Sequence, residues 1–279
     1  GSYEELTLRA NRRDLDALCL RQRVLAGVGQ RDLSTTLLGR RQASPLILAP
    51  TGLAGVVHGR GEVLAARAAE RAGVPFTLST VSVCSMEEVR RAVREPFWFQ
   101  LYVMRDRGVV ADLMARAQAV QCPVLVVTVD LSVQGQRHRD VRNGMLLRSR
   151  LATPRNIVDM LGKPRWLRSM IRGGRPRFGN LARYIADAVG SRCELLFDGG
   201  VRSGADVLKA LASGARGVMV ARAWLYGLGA LGEAGVDLAL EMLHREFDAA
   251  LALSGTRSIG EIGPDLLWRP PVHGQGAGG

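Results

Sequence analysis

The stretch Glu194–Gly227, ELLFDGGVRSGADVLKALASGARGVMVARAWLYG, decides the fold. Leu195-Leu196-Phe197 is a short apolar run closed by Asp198-Gly199-Gly200, the pattern of a strand buried on both faces of a parallel sheet. Ala205–Ser213 carries Val207, Leu208 and Leu211 at helical spacing and stops at Gly214. Gly217-Val218-Met219-Val220 is the next buried strand and runs into Ala221-Arg222. Two successive strands therefore each end in small residues and an arginine, Arg202 and Arg222. Glycines let a backbone approach a ligand closely, and free N–H groups at a helix start attract anions. Adjacent βα turns of this kind make the phosphate cradle at the C-terminal mouth of a (β/α)8 barrel. Asp198, Gly200, Arg202, Ala221 and Arg222 are the candidate phosphate-binding residues. The plainer reading is that the glycines only turn the chain and the arginines only pair with surface carboxylates. That reading must hold at both turns at once.

Working outward, buried strands are expected at 46–49, 76–80, 97–102, 124–129, 195–198 and 217–221, with helices between them. Gly61–Gly73 is an Ala-rich helix with a glycine stop, and Ser85 with Glu88 three residues on is a capping box. A further helix spans 106–120, a short one 181–190, and the chain after Gly227 is helical. Such alternation is the signature of a parallel α/β barrel. Thr51, Ser79, Gln100, Tyr102, Thr128 and Asp130 sit at strand C-terminal ends, which in a barrel face the active site. Residues 3–40 are expected to be an irregular segment packed on the barrel's outside.

A chain of 279 residues with 47% hydrophobic residues and 33 glycines suits one large α/β domain, 1–279. Cys19, Cys84, Cys122 and Cys193 lack metal-ligand spacing and read as reduced, packed thiols of a cytoplasmic protein. The net charge of +12 favours an anionic partner. Much of it lies in 146–178, a basic insert with nine Lys or Arg, one acid (Asp159), and interleaved Leu, Ile, Met and Trp166. This insert is either a solvated cover over the barrel mouth or a segment docking on a membrane surface. Nucleic acid is not expected, because no stacking platform or RNA motif accompanies the charge. The tail 270–279 is Gly/Pro-rich and expected to be flexible.

Seven segments together resemble the FMN-dependent L-2-hydroxy-acid oxidase and dehydrogenase family. They are LAPTGL (48–53), GEVLAARAAERAG (61–73), FTLSTVS (76–82), FWFQLYV (97–103), VVTVDLSVQGQRHRD (126–140), LFDGGVRSGADVLKALASGA (196–215) and VARAWLYGLGALGEAGV (220–236). They span most of the chain, and their combination with the basic insert is most similar to the (S)-mandelate dehydrogenase branch. The resemblance implies a TIM barrel that binds FMN. Pro50, Thr51 and Gly52 would lie against the flavin. Ser79, Gln100 and Thr128 would bond its edge or ribityl chain. Tyr102 and Arg137 would bind substrate, Arg137 through bidentate bonds to a carboxylate. Asp130 would orient a histidine base.

The sequence departs from the family at two places. The family lysine on strand five and the His-Gly-Gly-Arg motif after strand six, which holds the base, are absent. The strand count gives six where eight are needed, and the two absent βα units fall between Asn180 and Ile185. A family tyrosine before Tyr3 is absent too. His138 is the one histidine near the mouth and a poor replacement base. A six-stranded barrel would expose open edges. Further residues are therefore expected at that point in the intact protein.

The expected function is oxidation of an L-2-hydroxy acid, mandelate or a related aromatic acid favoured, to the 2-keto acid. Electrons would pass to a quinone, with 146–178 reaching the inner face of the membrane, or to dioxygen. The alternative is an inactive FMN- or phosphate-binding barrel. A tetramer is expected from the family habit. A peptide-modifying relative is disfavoured by the retained Arg137, and a sugar-phosphate barrel by the APTG and FWFQLY pieces.

Overall fold

The computed structural model describes residues 3–23, 29–104, 106–129, 138, 162–173, 180 and 196–268. In chain order the elements are α1 Leu6–Asp16, β1 Cys19–Leu20, β2 Thr35–Leu37, β3 Arg40–Gln42, β4 Leu46–Leu48, α2 Ala54–Val57, α3 Gly61–Ala72, β5 Thr77–Ser79, α4 Met86–Ala92, β6 Trp98–Tyr102, α5 Arg107–Ala119 and β7 Leu125–Thr128. Then follow α6 Pro164–Gly173, β8 Leu196–Asp198, α7 Gly204–Ala212, β9 Gly217–Val220, α8 Arg222–Leu231, α9 Glu233–Leu253 and β10 Leu267–Trp268.

The parallel strands run in the order β8-β9-β4 and β5-β6-β7. The Leu48–Phe76 bridge, with Leu48 N–H donating to Pro75 O at 2.9 Å, joins the two sets into one curved sheet. This is the TIM-barrel order, with the last parallel strand β9 beside the first, β4, and six parallel strands among the described residues. Each of these six parallel strands matches an expected one to within a few residues, whereas β1, β2, β3 and β10 are not among those expected.

Strand parity separates two cores. Leu46, Leu48, Leu78, Phe97, Phe99, Leu101, Val218 and Val220 point outward beneath the helices. Ile47, Ala49, Trp98 and Met219 point inward, where Leu37 of the β2–β3 hairpin plugs the N-terminal end. Gly217 keeps this inner packing tight: a Cβ would stand 3.0 Å from the Ile47 Cδ1 and Leu196 Cδ2 methyls, which would have to shift. Further along the same inward rows come Ser79, Gln100 and Thr128, so the interior changes from apolar to polar toward the C-terminal mouth.

The sheet is unequal across its width. β4 is fully buried, while β7 and β8 at the ends are only partly covered, and Val129 is 85% exposed. Residues 3–40 correct the expected irregular segment. They contain α1, β1 and the hairpin strand β2, and α1 lies on the turn after β8. Only Leu15 of α1 is buried, so its apolar stripe is too thin to read from sequence. The capping box at Ser85 and Glu88 is present. Of the basic insert, 162–173 is described and includes α6; the remainder, the short helix at 181–190 and the tail 270–279 lie outside the described residues.

Candidate active site

At the mouth, three adjacent strands share one hydrogen-bond chain. Ser79 Oγ donates to Gln100 Oε1 at 3.2 Å, and Gln100 Nε2 donates to Thr128 Oγ1 at 2.7 Å. Thr80 N–H adds a bond to Gln100 Oε1 at 3.3 Å, and Thr80 Oγ1 donates to the Gln100 carbonyl. Gln100 is 1% exposed, so its amide is held in one orientation by partners on both sides. Tyr102 follows two residues on, on the same inward row, with its N–H bonded to Thr80 Oγ1 at 3.1 Å.

The Pro50-Thr51-Gly52 segment lies beside this chain. Leu53 N–H donates to Val81 O at 3.1 Å, and a Cβ on Gly52 would come within 2.6 Å of Val81 Cγ2. Leu53 has φ +58°, a left-handed conformation uncommon for leucine.

The two glycine turns differ in kind. After β8, Gly199 and Gly200 take φ +110° and +77°, which L side chains rarely adopt. Arg202 and Ser203 N–H groups are already bonded to Asp206 Oδ2, and Ser203 caps α7 in a capping box with Asp206. The backbone donors at this helix start are therefore partly committed, and exposed Arg202 offers its side chain. After β9 the case is opposite. Ala221 is the N-cap of α8 and no side chain caps that helix, so its first N–H groups and the positive end of its dipole face the mouth. Asp198 pairs in register with Met219, next to this helix start. Its carboxyl is raised above the usual range, chiefly by desolvation, against the opposing pull of Gly199 N–H and Arg222.

Sequence reasoning missed three residues that hold these parts. Arg12 of α1 donates to Gly200 O at 2.9 Å and to both oxygens of Asp206. Asn180, fully buried, donates to Ser79 O and Ser82 Oγ and accepts from Met86 N–H at 2.8 Å. Glu62 accepts from the backbone of two mouth loops. The only sequence signal for each was an isolated polar residue in an amphipathic or basic stretch. Asp130 and Arg137 lie outside the described residues. His138 packs edge-on against Tyr3, ring centroids 5.8 Å apart. His244 bonds Ser44 Oγ at 2.7 Å, and burial lowers its pKa.

An N-terminal helix start without a capping side chain, two glycines at positive φ, two arginines and a polar row leading away across three strands fit an elongated, planar group ending in a phosphate. The fold and this mouth define the class of TIM barrels whose C-terminal face suits a phosphate-bearing cofactor.

Comparison with known proteins narrows the class. The family profile described as FMN-dependent dehydrogenase matches residues 1–183 and 180–269. An L-lactate dehydrogenase of Caulobacter vibrioides is 40% identical over 348 positions, covering 96% of this chain and 91% of that protein. The L-lactate dehydrogenase of Pseudomonas aeruginosa is 36% identical over 352 positions, with 96% and 92% covered. Among solved structures, the monotopic membrane protein (S)-mandelate dehydrogenase superposes with a TM-score of 0.88 at 28% identity, covering 97% of this chain and 93% of that one. The chain belongs to the FMN-dependent dehydrogenase family; it is an oxidoreductase, and its cofactor is FMN.

The two family matches meet at 180–183, and the 348 aligned positions exceed the 279 residues of the chain. The Caulobacter relative thus carries positions without counterpart here. The meeting point coincides with Asn180–Ile185, where the strand count put the two absent units.

Proposed function

We propose that this chain oxidises an L-2-hydroxy acid to the 2-keto acid. The observation that carries the reading is the Ser79–Gln100–Thr128 chain at the mouth of a barrel of this family. FMN supplies the two-electron acceptor when bound. Pro50, Thr51 and Gly52 would lie against the flavin ring, and Ser79, Gln100 and Thr128 along its polar edge. Asp198, Gly200 and Arg202 with Ala221 and Arg222 would hold the phosphate. Tyr102 would hydrogen-bond the substrate, Arg137 would hold its carboxylate, and Asp130 would orient the histidine of the family's His-Gly-Gly-Arg segment, which takes the proton and which this sequence lacks.

Two substrate side chains compete. The sequence reading favours mandelate or a related aromatic acid, supported by the structural neighbour. The 40% identity to a protein named L-lactate dehydrogenase favours a small side chain. Anaerobic addition of L-lactate or (S)-mandelate to the FMN-loaded protein separates them: the true substrate bleaches the flavin's visible absorbance.

A second reading, binding of FMN without turnover, is favoured by one sequence fact: the His-Gly-Gly-Arg segment is absent. A protein that is yellow yet bleached by neither acid would establish it.

We propose a quinone as electron acceptor, with α6 resting on the membrane surface. No helix among the described residues is long and apolar enough to cross a membrane. Trp166 turns inward, its Nε1 donating to Val56 O at 2.9 Å, so it is not the residue that meets lipid. Ile171, 75% exposed, stands outward among Arg165, Arg168 and Arg172. An apolar tip ringed by arginines suits an anionic interface.

A further inference from the structure

Glu62 is a buried carboxylate, 1% exposed, in the first turn of α3. Its Oε1 accepts from Gly55 N–H at 3.0 Å and Val83 N–H at 2.8 Å, and its Oε2 accepts from Cys84 N–H at 3.4 Å. Those donors come from two different loops. Gly55 lies in the first turn of α2, which follows Pro50-Thr51-Gly52; Val83 and Cys84 belong to the loop that follows Ser79. No ion pair of Glu62 is found among the described residues. A buried charge without a cation is costly unless its hydrogen bonds are made, and here backbone N–H groups make them.

The loops are shaped around this carboxylate. A Cβ on Gly55 would lie 2.5 Å from Val83 Cβ and 3.0 Å from Glu62 Oε2, so only glycine allows the approach. The neighbouring Cys84 thiol is raised above its ordinary range, first by burial and then by the Glu62 charge, which keeps it a protonated, inert neighbour.

We infer that Glu62 is a positioning residue for the flavin. Its carboxylate clamps the loop carrying Pro50–Gly52 against the loop leading from Ser79 and sets the spacing of two walls of the flavin slot. This rests on the reading that those two segments face FMN. The carboxylate accepts at both oxygens, whereas a glutamine presents an NH2 group to a backbone N–H and loses at least one charge-assisted bond.

The test compares Glu62→Gln and Ala68→Gly, the latter a buried α3 position that touches neither loop-end bond. Each is stripped of FMN and titrated with it, following Tm, the FMN dissociation constant and the flavin absorption bands. Loss of one such bond corresponds to about a tenfold rise in Kd. Glu62→Gln is expected to show that rise and displaced absorption bands; Ala68→Gly should lower Tm alone. Equal FMN affinity and unchanged bands in Glu62→Gln, or the same changes in Ala68→Gly, would overturn the inference and leave the FMN reading intact. A wild type that takes up no FMN would overturn both. Hydrogen exchange on the wild type keeps the idea testable if Glu62→Gln does not fold. FMN should slow exchange at Gly55 and Val83 more than at mid-α3 amides, and an equal response at both places would refute the clamp.

Discussion

Arg12 grips Asp206 with two parallel hydrogen bonds, Nη1 to Oδ2 at 2.9 Å and Nη2 to Oδ1 at 3.0 Å, across 194 residues of sequence. The same guanidinium donates to Gly200 O, so the first helix of the chain is tied to the turn expected to cradle the phosphate. Asp206 is 2% exposed. Without Arg12, Asp206 keeps the Arg202 and Ser203 N–H groups and Lys209 Nζ at 4.0 Å, and losing a charge-assisted pair of this kind costs about 1.5–3 kcal/mol. Arg12→Met is expected to lower stability by that order in chemical denaturation, and to weaken FMN binding along with it.

The pair also predicts acid sensitivity. Burial pushes the Asp206 carboxyl up, but hydrogen bonds from Arg12 and the Arg202 N–H outweigh it and leave it below the usual range. Glu87 behaves alike: burial raises it, and Arg116, bonded at 2.7 and 2.9 Å, pulls it down to about 2. A carboxyl whose folded pKa is depressed stabilises the fold above its unfolded value, about 4. That stabilisation fades as pH falls through the folded value. Stability should therefore fall between about pH 4 and 2, and Arg116→Met should flatten the slope of ΔG against pH in that window.

Gln100→Leu keeps the bulk and removes the amide. Ser79 Oγ and Thr80 N–H lose their acceptor and Thr128 Oγ1 its donor, around a position where Gln100 is 1% exposed. The expected cost is about 1–3 kcal/mol per unsatisfied group. A calorimetric Tm and the FMN dissociation constant should both worsen.

Gly227 and Gly235 bring α8 and α9 into backbone contact. A Cβ on Gly235 would stand 1.8 Å from Gly227 O. Gly235→Ala must push the helices apart and is expected to destabilise by about 1–3 kcal/mol, read from urea unfolding.

Ile171→Asp should abolish co-flotation with anionic vesicles while leaving the fold unchanged. Flotation equal to wild type would remove α6 from the membrane proposal.

The sequence alone determined the strand positions, the α/β alternation, the capping box at Ser85 and the family. These are local signals: strands buried on both faces must be apolar throughout, and turns after them must contain glycine. A count of six parallel strands showed that an eight-stranded barrel is short of two, and the resemblance to the family implied that they belong at Asn180–Ile185. Tertiary structure decided the rest. Whether a helix start is open to an anion depends on what caps it: Ser203 caps α7 at one turn, while Ala221 at the other gives α8 no capping side chain. That Arg12 holds Asp206, that Asn180 pins Ser79 and that Glu62 joins two loops follow from packing of segments distant in sequence. A lone arginine, asparagine or glutamate in a polar stretch carries no local mark of such a partner. Trp166 shows the same limit: helical spacing reveals an apolar face, but only the fold decides whether that face meets lipid or the barrel.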